Sequence, residues 1–223
     1  MIWKAERLWA DETAVILAGG PSLRGFDATV LYKPGWRVLA INDSWRIAPR
    51  CACLYFSDPA WFIDQLRRLP WDLTVTVNFS DVLYKRMLVN GSFRDEFGDH
   101  PQVRQLKFTG QTGLEKDPVG LRHGSNSTYA AMNLAYHLGV KRIVLLGLDM
   151  RLVNGRSHWH DEPRPDGFAG VLKDSMLPMF QHLVEPLNDA GVEVINATPD
   201  SALTCWPYQP LNTLLEGAYA HGD

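Results

Sequence analysis

Short apolar runs recur along the chain and are separated by segments with a helical period. The runs with the length and composition of buried strands cover residues 14–18, 36–41, 53–56, 73–77, 142–148 and 192–195. A further run at 103–108 is an additional strand candidate. Because strands that are buried on both faces lack an alternation of apolar and polar residues, these runs predict one parallel sheet.

Between these runs, apolar residues recur every three or four positions, which is typical of helices. The helical segments cover 59–69, 127–138 and 167–190, and 211–219 predicts a short closing helix. Strands that alternate with helices predict a Rossmann-like α/β fold, in which an open, mostly parallel sheet carries helices on both faces. Ligands of such folds bind beyond the carboxyl ends of the strands.

Two segments depart from this alternation. Residues 78–123 are rich in Gly, Asp, Arg and Phe and predict a loop-rich insertion. Residues 150–166 are too polar and too rich in Gly and Pro for a core element, so they predict a lid over the site. A chain of 223 residues that is 46% apolar can bury one sizeable core, and we expect a single domain over 1–223.

Charge and cysteine content narrow the class of protein. The 22 Lys and Arg against 25 Asp and Glu give a net charge of -3, which disfavours binding to nucleic acid. We expect no leader and no membrane span, since no apolar run approaches the ~20 residues that a span needs. Cys51, Cys53 and Cys205 are interpreted as reduced packing residues of a cytoplasmic protein. Eight tryptophans leave a homo-oligomer as an open alternative.

The segment 14–27, AVILAGGPSLRGFD, joins a strand to a turn made of Gly19, Gly20, Pro21 and Ser22. Glycines at the carboxyl end of a strand let backbone N–H groups approach a phosphate. The turn is not a GxGxxG fingerprint and lacks the lysine of a P-loop, so it predicts neither a standard dinucleotide site nor an ATPase. The hypothesis is a nucleotide cradle of open specificity.

Polar residues also end other predicted strands. Asn42 and Asp43 follow the second strand, Asp58 follows the third, and Asp149 follows the run at 142–148. Each has a structural alternative, because Asn and Asp also terminate strands and cap helices. Together on one edge of a parallel sheet, they favour a polar ligand site.

A cluster of polar residues opens the helix predicted at 127–138: Ser125, Asn126, Ser127 and Thr128. One of them is the N-cap, and the unpaired N–H groups and the dipole at that end make an anion site. Anion binding and simple capping both stay open. His137, near the other end of the helix, is interpreted as solvated or as compensating the helix dipole.

The lid carries His158 and His160, which share a side if the backbone there is extended. Imidazole suits both a general base and a metal ligand. Three interpretations stay open: a catalytic or phosphate-contacting histidine, a metal site completed by Asp161 and Glu162, and a packed loop. Arg151 is a candidate phosphate contact.

The chain resembles bacterial sialyltransferases of the Campylobacter lipooligosaccharide type in the order of its motifs, which are LAGGPSL, AINDSW, YFSDPAWF, SNSTYAAMNLAYHLGVKRIVLLGLDM and INATPDSAL. It is also similar to the related group of archaeal pterin pyrophosphokinases, the MptE-like proteins. LGLDM followed by SHWHDE resembles small phage and prophage proteins labelled morphogenetic. The resemblance spans most of the chain and thins out at 78–120.

The resemblance implies a Rossmann-like transferase that binds a cytidine-type nucleotide. In that family, the loop after the first strand and the residues that end the second and third strands surround the nucleotide or donor sugar. The matching residues here are those of the first loop, Asn42 and Asp58. The serine that begins a later helix in the family matches Ser127. The NSLL-like motif of the closing strand falls on 200–203, which includes Ser201.

In that family, a lid histidine deprotonates the acceptor hydroxyl, and its nearest counterpart here is His158 or His160. The chain departs from the family at Asp58, where the sialyltransferases carry Asn, and a carboxylate there would repel the carboxylate of a sialic acid donor. The lid also lacks the family's tyrosines, and Arg151 and His158 occupy roughly their positions.

Three functions therefore stay open. The first is a nucleotide-sugar transferase with a CMP-sugar-type donor and no required metal. The second is a pyrophosphokinase-like enzyme in which Asp58 and Asp149 hold Mg²⁺ on ATP. The third is a phage-encoded assembly or host-interaction protein that keeps the fold with a vestigial pocket.

Overall fold

A computed structural model describes residues 2–58, 61, 65, 75–79, 87–89, 92–94, 103–160 and 167–217. The strands in these ranges are β1 (Thr13–Leu17), β2 (Trp36–Ile41), β3 (Cys53–Phe56), β4 (Val75–Phe79), β5 (Met87–Val89), β6 (Ser92–Arg94), β7 (Val103–Gly110), β8 (Gly120–Arg122), β9 (Arg142–Leu146) and β10 (Glu193–Asn196).

The helices are α1 (Ser127–His137), α2 (Phe168–Gly170), α3 (Gln181–Asp189) and α4 (Leu211–Gly217). A π-helix at Val171–Met176 and a 3₁₀ turn at Leu177–Phe180 join α2 to α3, so 168–189 forms one continuous helical segment. Further 3₁₀ turns at Pro21–Leu23, Ala28–Leu31 and Asn42–Arg46 follow β1 and β2.

Eight strands form one sheet in the order β10-β9-β1-β2-β3-β4-β7-β8, and every pairing in it is parallel. Strands β5 and β6 form a separate antiparallel pair. The central strand β1 pairs with β2 through Thr13 and Trp36 and with β9 through Thr13 and Arg142. The carboxyl ends of β1, β2 and β9 therefore lie side by side.

Successive residues of the central strands pack on opposite faces of the sheet. Ile16 and Leu39 lie in the cluster that α1 and the helical segment 168–189 cover. Val15 and Val38 lie in a second cluster, which the 3₁₀ turns and α4 cover on the other face. This double burial explains why the strand sequences are continuously apolar.

The α/β fold class with an open parallel sheet and helices on both faces is confirmed. The expected strand at 142–148 ends earlier, at Leu146, because Gly147 adopts a positive φ of 69°. The run at 103–108 forms β7, which together with β8 extends the main sheet from within the segment 78–123. Most of the helix expected at 59–69 lies outside the described residues, although Trp61 and Gln65 are helical.

The interpretation of His137 as a solvated residue is wrong. Its side chain is buried, with 6% of the residue exposed, and its Nε2 lies 2.9 Å from the carbonyl oxygen of Gly120. A carbonyl only accepts, so Nε2 donates this hydrogen bond. Burial lowers the pKa of His137, which keeps the imidazole neutral and removes the charge that would compensate a helix dipole.

Two further observations concern the cysteines and the length of the helices. Cys51 and Cys53 are buried and Cys205 is partly buried, and none of the three is in a disulfide. In the part of the chain that the structure describes, no helix is both long enough and apolar enough to cross a membrane.

Candidate functional site

A cavity of about 720 Å³ opens beyond the carboxyl ends of β1, β2, β3 and β9, between the start of α1 and the lid. Its lining includes thirteen of the sequence-predicted site residues: Gly19, Gly20, Asn42, Asp43, Asp58, Ser125, Asn126, Ser127, Thr128, Asp149, Arg151, His158 and His160. The other three predicted residues, Pro21, Ser22 and Ser201, lie outside this lining. The predicted strand ends and the predicted lid therefore meet at one site.

The two glycines of the first loop lie close to other segments of the protein. A Cβ atom on Gly20 would lie 2.0 Å from Oδ2 of Asp149, and one on Gly19 would lie 3.0 Å from Cδ2 of His158. The amide of Gly20 donates to the carbonyl of Gly147 at 2.7 Å, and the carbonyl of Gly19 accepts from the amide of Trp159 at 3.0 Å. The glycine turn thus lets the lid and the end of β9 pack directly on β1.

Asp149 and Ser22 are joined behind the cavity wall. The Oγ of Ser22 donates to Oδ2 of Asp149 at 2.8 Å, and the amide of Ser22 donates to Oδ1 at 3.2 Å. Burial raises the pKa of the Asp149 carboxyl, and the hydrogen bonds from Ser22 act in the opposite direction. Ser22 therefore contributes to the site by holding Asp149 rather than by lining the cavity.

Ser201 and Arg151 both hold the loop that follows β9. The Oγ of Ser201 donates to the carbonyl of Leu148 at 2.5 Å. Arg151 lines the cavity, and its Nε donates to the carbonyl of Asp200 at 2.6 Å. The segment 200–203 therefore supports the site from outside.

Three buried polar atoms of residues that line the cavity have no hydrogen-bond partner among the described residues: Oδ1 of Asn42, the hydroxyl of Tyr55 and the indole Nε1 of Trp159. Asn42 has a φ of 47°, a left-handed conformation that Asn tolerates better than most residues. Leaving a buried polar group unpaired costs about 1–3 kcal/mol. All three atoms can pair with polar atoms of a bound ligand.

Asp43 is bound from two sides at the cavity edge. Its Oδ2 accepts from the indole Nε1 of Trp61 at 2.8 Å, and its Oδ1 lies 3.8 Å from the guanidinium of Arg46. The same guanidinium lies over the ring of Trp159 at 5.8 Å from its centroid. Arg46 therefore links the turn after β2 to the lid.

Asn126 is the N-cap of α1, since its Oδ1 accepts from the amide of Tyr129 at 2.9 Å. The amides of Ser127 and Thr128, in the first turn, have no partner within an α-helix and lie at the positive end of its dipole. The hydroxyl of Ser127 lies 3.2 Å from that of Ser57, which also lines the cavity. Capping therefore accounts for Asn126, and anion binding at Ser127 and Thr128 stays a prediction.

Ser125 and His123 complete this end of the cavity. Ser125 has a φ of 60°, and its amide donates to Nδ1 of His123 at 3.1 Å. Because Nδ1 accepts, the proton of the neutral imidazole is on Nε2, and burial lowers the pKa of His123. The neighbouring Arg122 pairs with Glu115 at 3.3 Å and does not line the cavity.

The two lid histidines lie together, with ring centroids 5.2 Å apart. Nδ1 of His158 is 2.8 Å from the Oγ of Ser157, which fixes the orientation of that ring. In the tautomer in which Nδ1 donates to Ser157, Nε2 carries the lone pair that a general base needs. The lid thus presents an oriented imidazole to the cavity.

Mg²⁺ fits the described residues poorly. Asp149, one of the two carboxylates expected to hold it, already accepts hydrogen bonds from Ser22 on both oxygens. Among the residues that the structure describes, no cluster of three or more His, Cys, Asp or Glu side chains could hold a metal ion. Asp161 and Glu162, expected to complete a metal site with the lid histidines, lie outside the described residues.

Several residues of the lining were not predicted as site residues. They include Ser57, Trp61, Tyr55, Phe108, His123, Trp159, Phe168, Leu172 and Met176. The signal for Ser57 was its place beside Asp58 at a strand end. Tyr55 and Leu172 carried no such signal, because an apolar pattern alone cannot tell a core residue from the wall of a cavity.

The fold is similar to that of solved sialyltransferase structures. The solved structures similar to it include that of the sialyltransferase CstII from Campylobacter jejuni in complex with cytidine-5'-monophosphate, with a TM-score of 0.52 and 13% identity over 89% of this chain and 85% of that chain. The complex of CST-II with a trisaccharide acceptor and CMP gives a TM-score of 0.51 and 13% identity over 88% and 85%. The CstII complex with CMP-3FNeuAc gives 0.50 and 12% over the same shares.

At this level of identity, the similarity is one of fold. No protein-family model and no curated protein sequence matches the chain.

Proposed function

We propose that this chain is a nucleotide-binding transferase that takes a CMP-sugar-type donor and activates an acceptor hydroxyl with a lid histidine. The observation that carries the proposal is the convergence of four strand ends, a helix N-terminus and two histidines on one cavity. In an open parallel sheet this is the place where ligands bind. The similarity in fold to sialyltransferase structures solved with CMP supports the choice of nucleotide.

The unpartnered polar atoms favour a polar ligand at the inner end of the cavity. Oδ1 of Asn42 is an acceptor, and the hydroxyl of Tyr55 both donates and accepts. A nucleoside carries amine, carbonyl and hydroxyl groups that suit such partners. Three of the six non-glycine residues with positive φ in the described ranges, Asn42, Ser125 and Met150, also line this cavity. Strained backbone is concentrated at functional sites.

The start of α1 suits the phosphate of the donor. The amides of Ser127 and Thr128 point out of the helix at its positive end, and the hydroxyls of Ser57 and Ser127 lie beside them. In a transfer reaction, negative charge grows on the nucleotide phosphate as it leaves. Fixed N–H donors at that position stabilise the charge without needing to reorganise.

The chemical step needs a base for the acceptor. The acceptor oxygen forms a bond to the anomeric carbon of the donor sugar, and the bond from that carbon to the phosphate oxygen breaks. The electron pair of the broken bond stays on the phosphate, and the hydroxyl proton moves to Nε2 of His158, with His160 beside it. No metal takes part in this scheme.

The direct test measures the melting temperature of the protein with CMP, CDP, CTP, ATP and CMP-sialic acid, each with Mg²⁺ and with EDTA. We expect the cytidine nucleotides to raise it by about 5 °C or more at 100 times their Kd, with or without metal. Stabilisation only by a triphosphate with Mg²⁺ would instead support a pyrophosphokinase. An absence of any shift would support a non-catalytic protein with a vestigial pocket.

A matched pair of variants locates the binding site. Asn42→Gly removes the amide and keeps the positive φ, and Asn154→Gly makes the same change at an exposed position with a φ of 51° outside the cavity lining. We expect Asn42→Gly to weaken CMP binding about 10-fold, as for the loss of a buried hydrogen bond. Asn154→Gly should bind CMP like the parent protein.

A further inference from the structure

One wall of the cavity is apolar, in contrast to its polar rim. It is formed by Phe168, Leu172 and Met176, which we call the apolar wall. The three residues lie four positions apart on the helical segment that follows the lid, and none of them is needed for the nucleotide or the base in the function proposed above. The nucleotide therefore leaves this side of the cavity unexplained.

The helix is widened at this wall. Residues Val171–Met176 are π-helical, with hydrogen bonds that reach one residue further than in an α-helix. In an α-helix with 3.6 residues per turn, residues four apart drift steadily around the axis. The wider turn counteracts that drift and keeps all three side chains on the cavity. Single π turns are frequent at functional sites.

The wall is anchored on the core of the protein. Leu172 belongs to the buried cluster on the α1 side of the sheet, and Phe168 and Met176 are partly buried against the same cluster. The wall is thus formed before any ligand binds. A ligand that covers its remaining apolar surface gains binding energy from the removal of water.

The acceptor is the component of the reaction that suits this wall. The phosphate and ribose of the donor need polar partners, and burying them against apolar side chains without hydrogen bonds is costly. The wall and the lid histidines, which we assign to the acceptor, line the same cavity. An acceptor held there can place its hydroxyl toward the lid while its apolar part covers the helix.

We propose that Phe168, Leu172 and Met176 form an acceptor subsite for an aryl or branched alkyl group. On this proposal, which rests on the proposed function, the chain prefers a hydroxyl compound with an apolar substituent to an unsubstituted sugar. The substrate class is an alcohol or glycoside with an aromatic or branched aliphatic part.

The test compares matched glycosides in the presence of saturating CMP. The Kd is measured by calorimetry for the phenyl and methyl glycosides of glucose, galactose and mannose. We expect the phenyl member of at least one pair to bind 10-fold or more tightly than its methyl partner. Equal binding within every pair, with CMP bound normally, would overturn the acceptor subsite and leave the proposed function standing.

Two variants on the same helical segment sharpen the test. Met176→Gln puts a polar side chain of similar length on the apolar wall, whereas Met179→Gln makes the same change at a partly buried position outside the cavity lining. We expect Met176→Gln to lower the phenyl preference at least 3-fold and Met179→Gln to leave it unchanged. Phe168→Leu, which keeps the wall apolar but removes the ring, should also lower it if Met176→Gln fails to fold.

The affinity for CMP separates the remaining outcomes. We expect CMP to bind the parent protein and all three variants equally. If Met176→Gln and Phe168→Leu weaken CMP binding, the wall holds the nucleobase, and the acceptor subsite is wrong. If the parent protein does not bind CMP at all, the proposed function fails, and the acceptor subsite fails with it.

Discussion

Ser22 donates two hydrogen bonds to the buried carboxylate of Asp149, one from its Oγ at 2.8 Å and one from its amide at 3.2 Å. The two residues are 127 positions apart in the chain, so this contact joins the first loop to the loop after β9. The backbone around them is equally tight, since the amide of Gly20 donates to the carbonyl of Gly147 at 2.7 Å. The floor of the cavity therefore depends on a polar contact that no local pattern reveals.

Ser22→Ala removes the hydroxyl from this pair. We expect a loss of about 1.5–3 kcal/mol in the free energy of unfolding at pH 7, the usual range for a hydrogen bond to a charged group. Urea denaturation measures it, and Ser175→Ala, at an exposed helical position, is the control. A loss no larger than that of Ser175→Ala would show that water replaces the serine without cost.

The raised pKa of Asp149 predicts how the stability of the protein depends on pH. Burial raises the pKa of Asp149 above 3.8, so the folded state holds the proton more tightly than the unfolded state does. Its contribution to stability is therefore greatest at low pH and falls as pH rises through the interval between the two pKa values. Asp149→Asn cannot titrate at this position, so its free energy of unfolding should not show this fall. Denaturation curves should therefore show that the stability of the variant, relative to that of the parent protein, rises between pH 3.5 and pH 7. If the difference in free energy of unfolding between the two proteins stays constant over this pH range, the carboxyl of Asp149 is not a buried titrating group.

The two glycines of the first loop should respond differently to alanine. Gly20→Ala places a Cβ 2.0 Å from Asp149 and 2.4 Å from the carbonyl of Gly147, and neither can move away easily. We expect a loss of about 3 kcal/mol or more in stability. Gly19→Ala meets only the edge of His158 at 3.0 Å, so it should cost less than about 1 kcal/mol and displace the lid histidine.

Gly170→Ala is the control for both, because Gly170 has a helical φ of -64° and the new Cβ would lie 3.7 Å from Asp174. We expect it to be neutral or to stabilise by about 0.5–1 kcal/mol. Thermal or urea denaturation ranks the three variants. Equal losses for Gly19→Ala and Gly20→Ala would show that the first loop relaxes as a whole.

Much of the fold could be predicted from the sequence, because the local pattern of apolar and polar residues indicates which segments are buried. Runs such as 53–56 are apolar at every position and form strands buried on both faces. The start of α1 was also predictable, since Asn126 is a strong N-cap residue in front of an apolar helix. The polar strand ends lie on one edge of the sheet because parallel strands share a direction.

What could not be predicted depends on contacts between distant segments. His137 looks like an ordinary polar residue at a helix end, and only β8, packed beside α1, makes it buried. The apolar wall looks like core, because a helical period does not distinguish a helix against a sheet from a helix against a cavity. Ser22 and Ser201 were expected to contact the ligand, and the structure shows them holding neighbouring loops instead.

The burial of His137 also predicts a dependence of stability on pH. Burial lowers the pKa of His137 below 6.5, so the unfolded state binds the proton more tightly, and stability falls as pH falls through this interval. His137→Gln keeps a donor for the carbonyl of Gly120 and cannot titrate. Between pH 8 and pH 5 its denaturation midpoint should fall less than that of the parent protein. If the midpoints of the two proteins fall equally between pH 8 and pH 5, a group other than His137 causes the pH dependence.

Asp58→Asn tests the departure from the sialyltransferase pattern. A carboxylate at this exposed strand end repels an anionic donor sugar, although water screens the repulsion. We expect the variant to bind CMP-sialic acid about 3- to 10-fold more tightly, by calorimetry at low salt, and to bind CMP with little change. If both ligands change equally, Asp58 faces the nucleotide. If neither changes, Asp58 does not face the donor.

The lid histidines carry the last prediction. His158→Ala and His160→Ala should each keep the fold, with changes in stability within about 1 kcal/mol, because a polar lid contributes little core energy. CMP affinity should change less than 3-fold, whereas loss of the general base should lower the rate of CMP release from a CMP-sugar in the presence of acceptor by about 10²–10⁴-fold. We expect His158→Ala to show the larger loss, because Ser157 orients that ring through Nδ1 at 2.8 Å.

Ser157→Ala separates orientation from base chemistry at the same ring. It keeps the imidazole of His158 and removes the hydrogen bond that orients its ring, so an intermediate loss of about 10-fold should appear in kcat and not in the KM for the donor. His182→Ala, on the exposed side of α3, should leave the rate unchanged. If His158→Ala and His160→Ala both retain full transfer, the base lies elsewhere in the cavity. If either variant unfolds, the lid is part of the core, and its assignment to the acceptor is wrong.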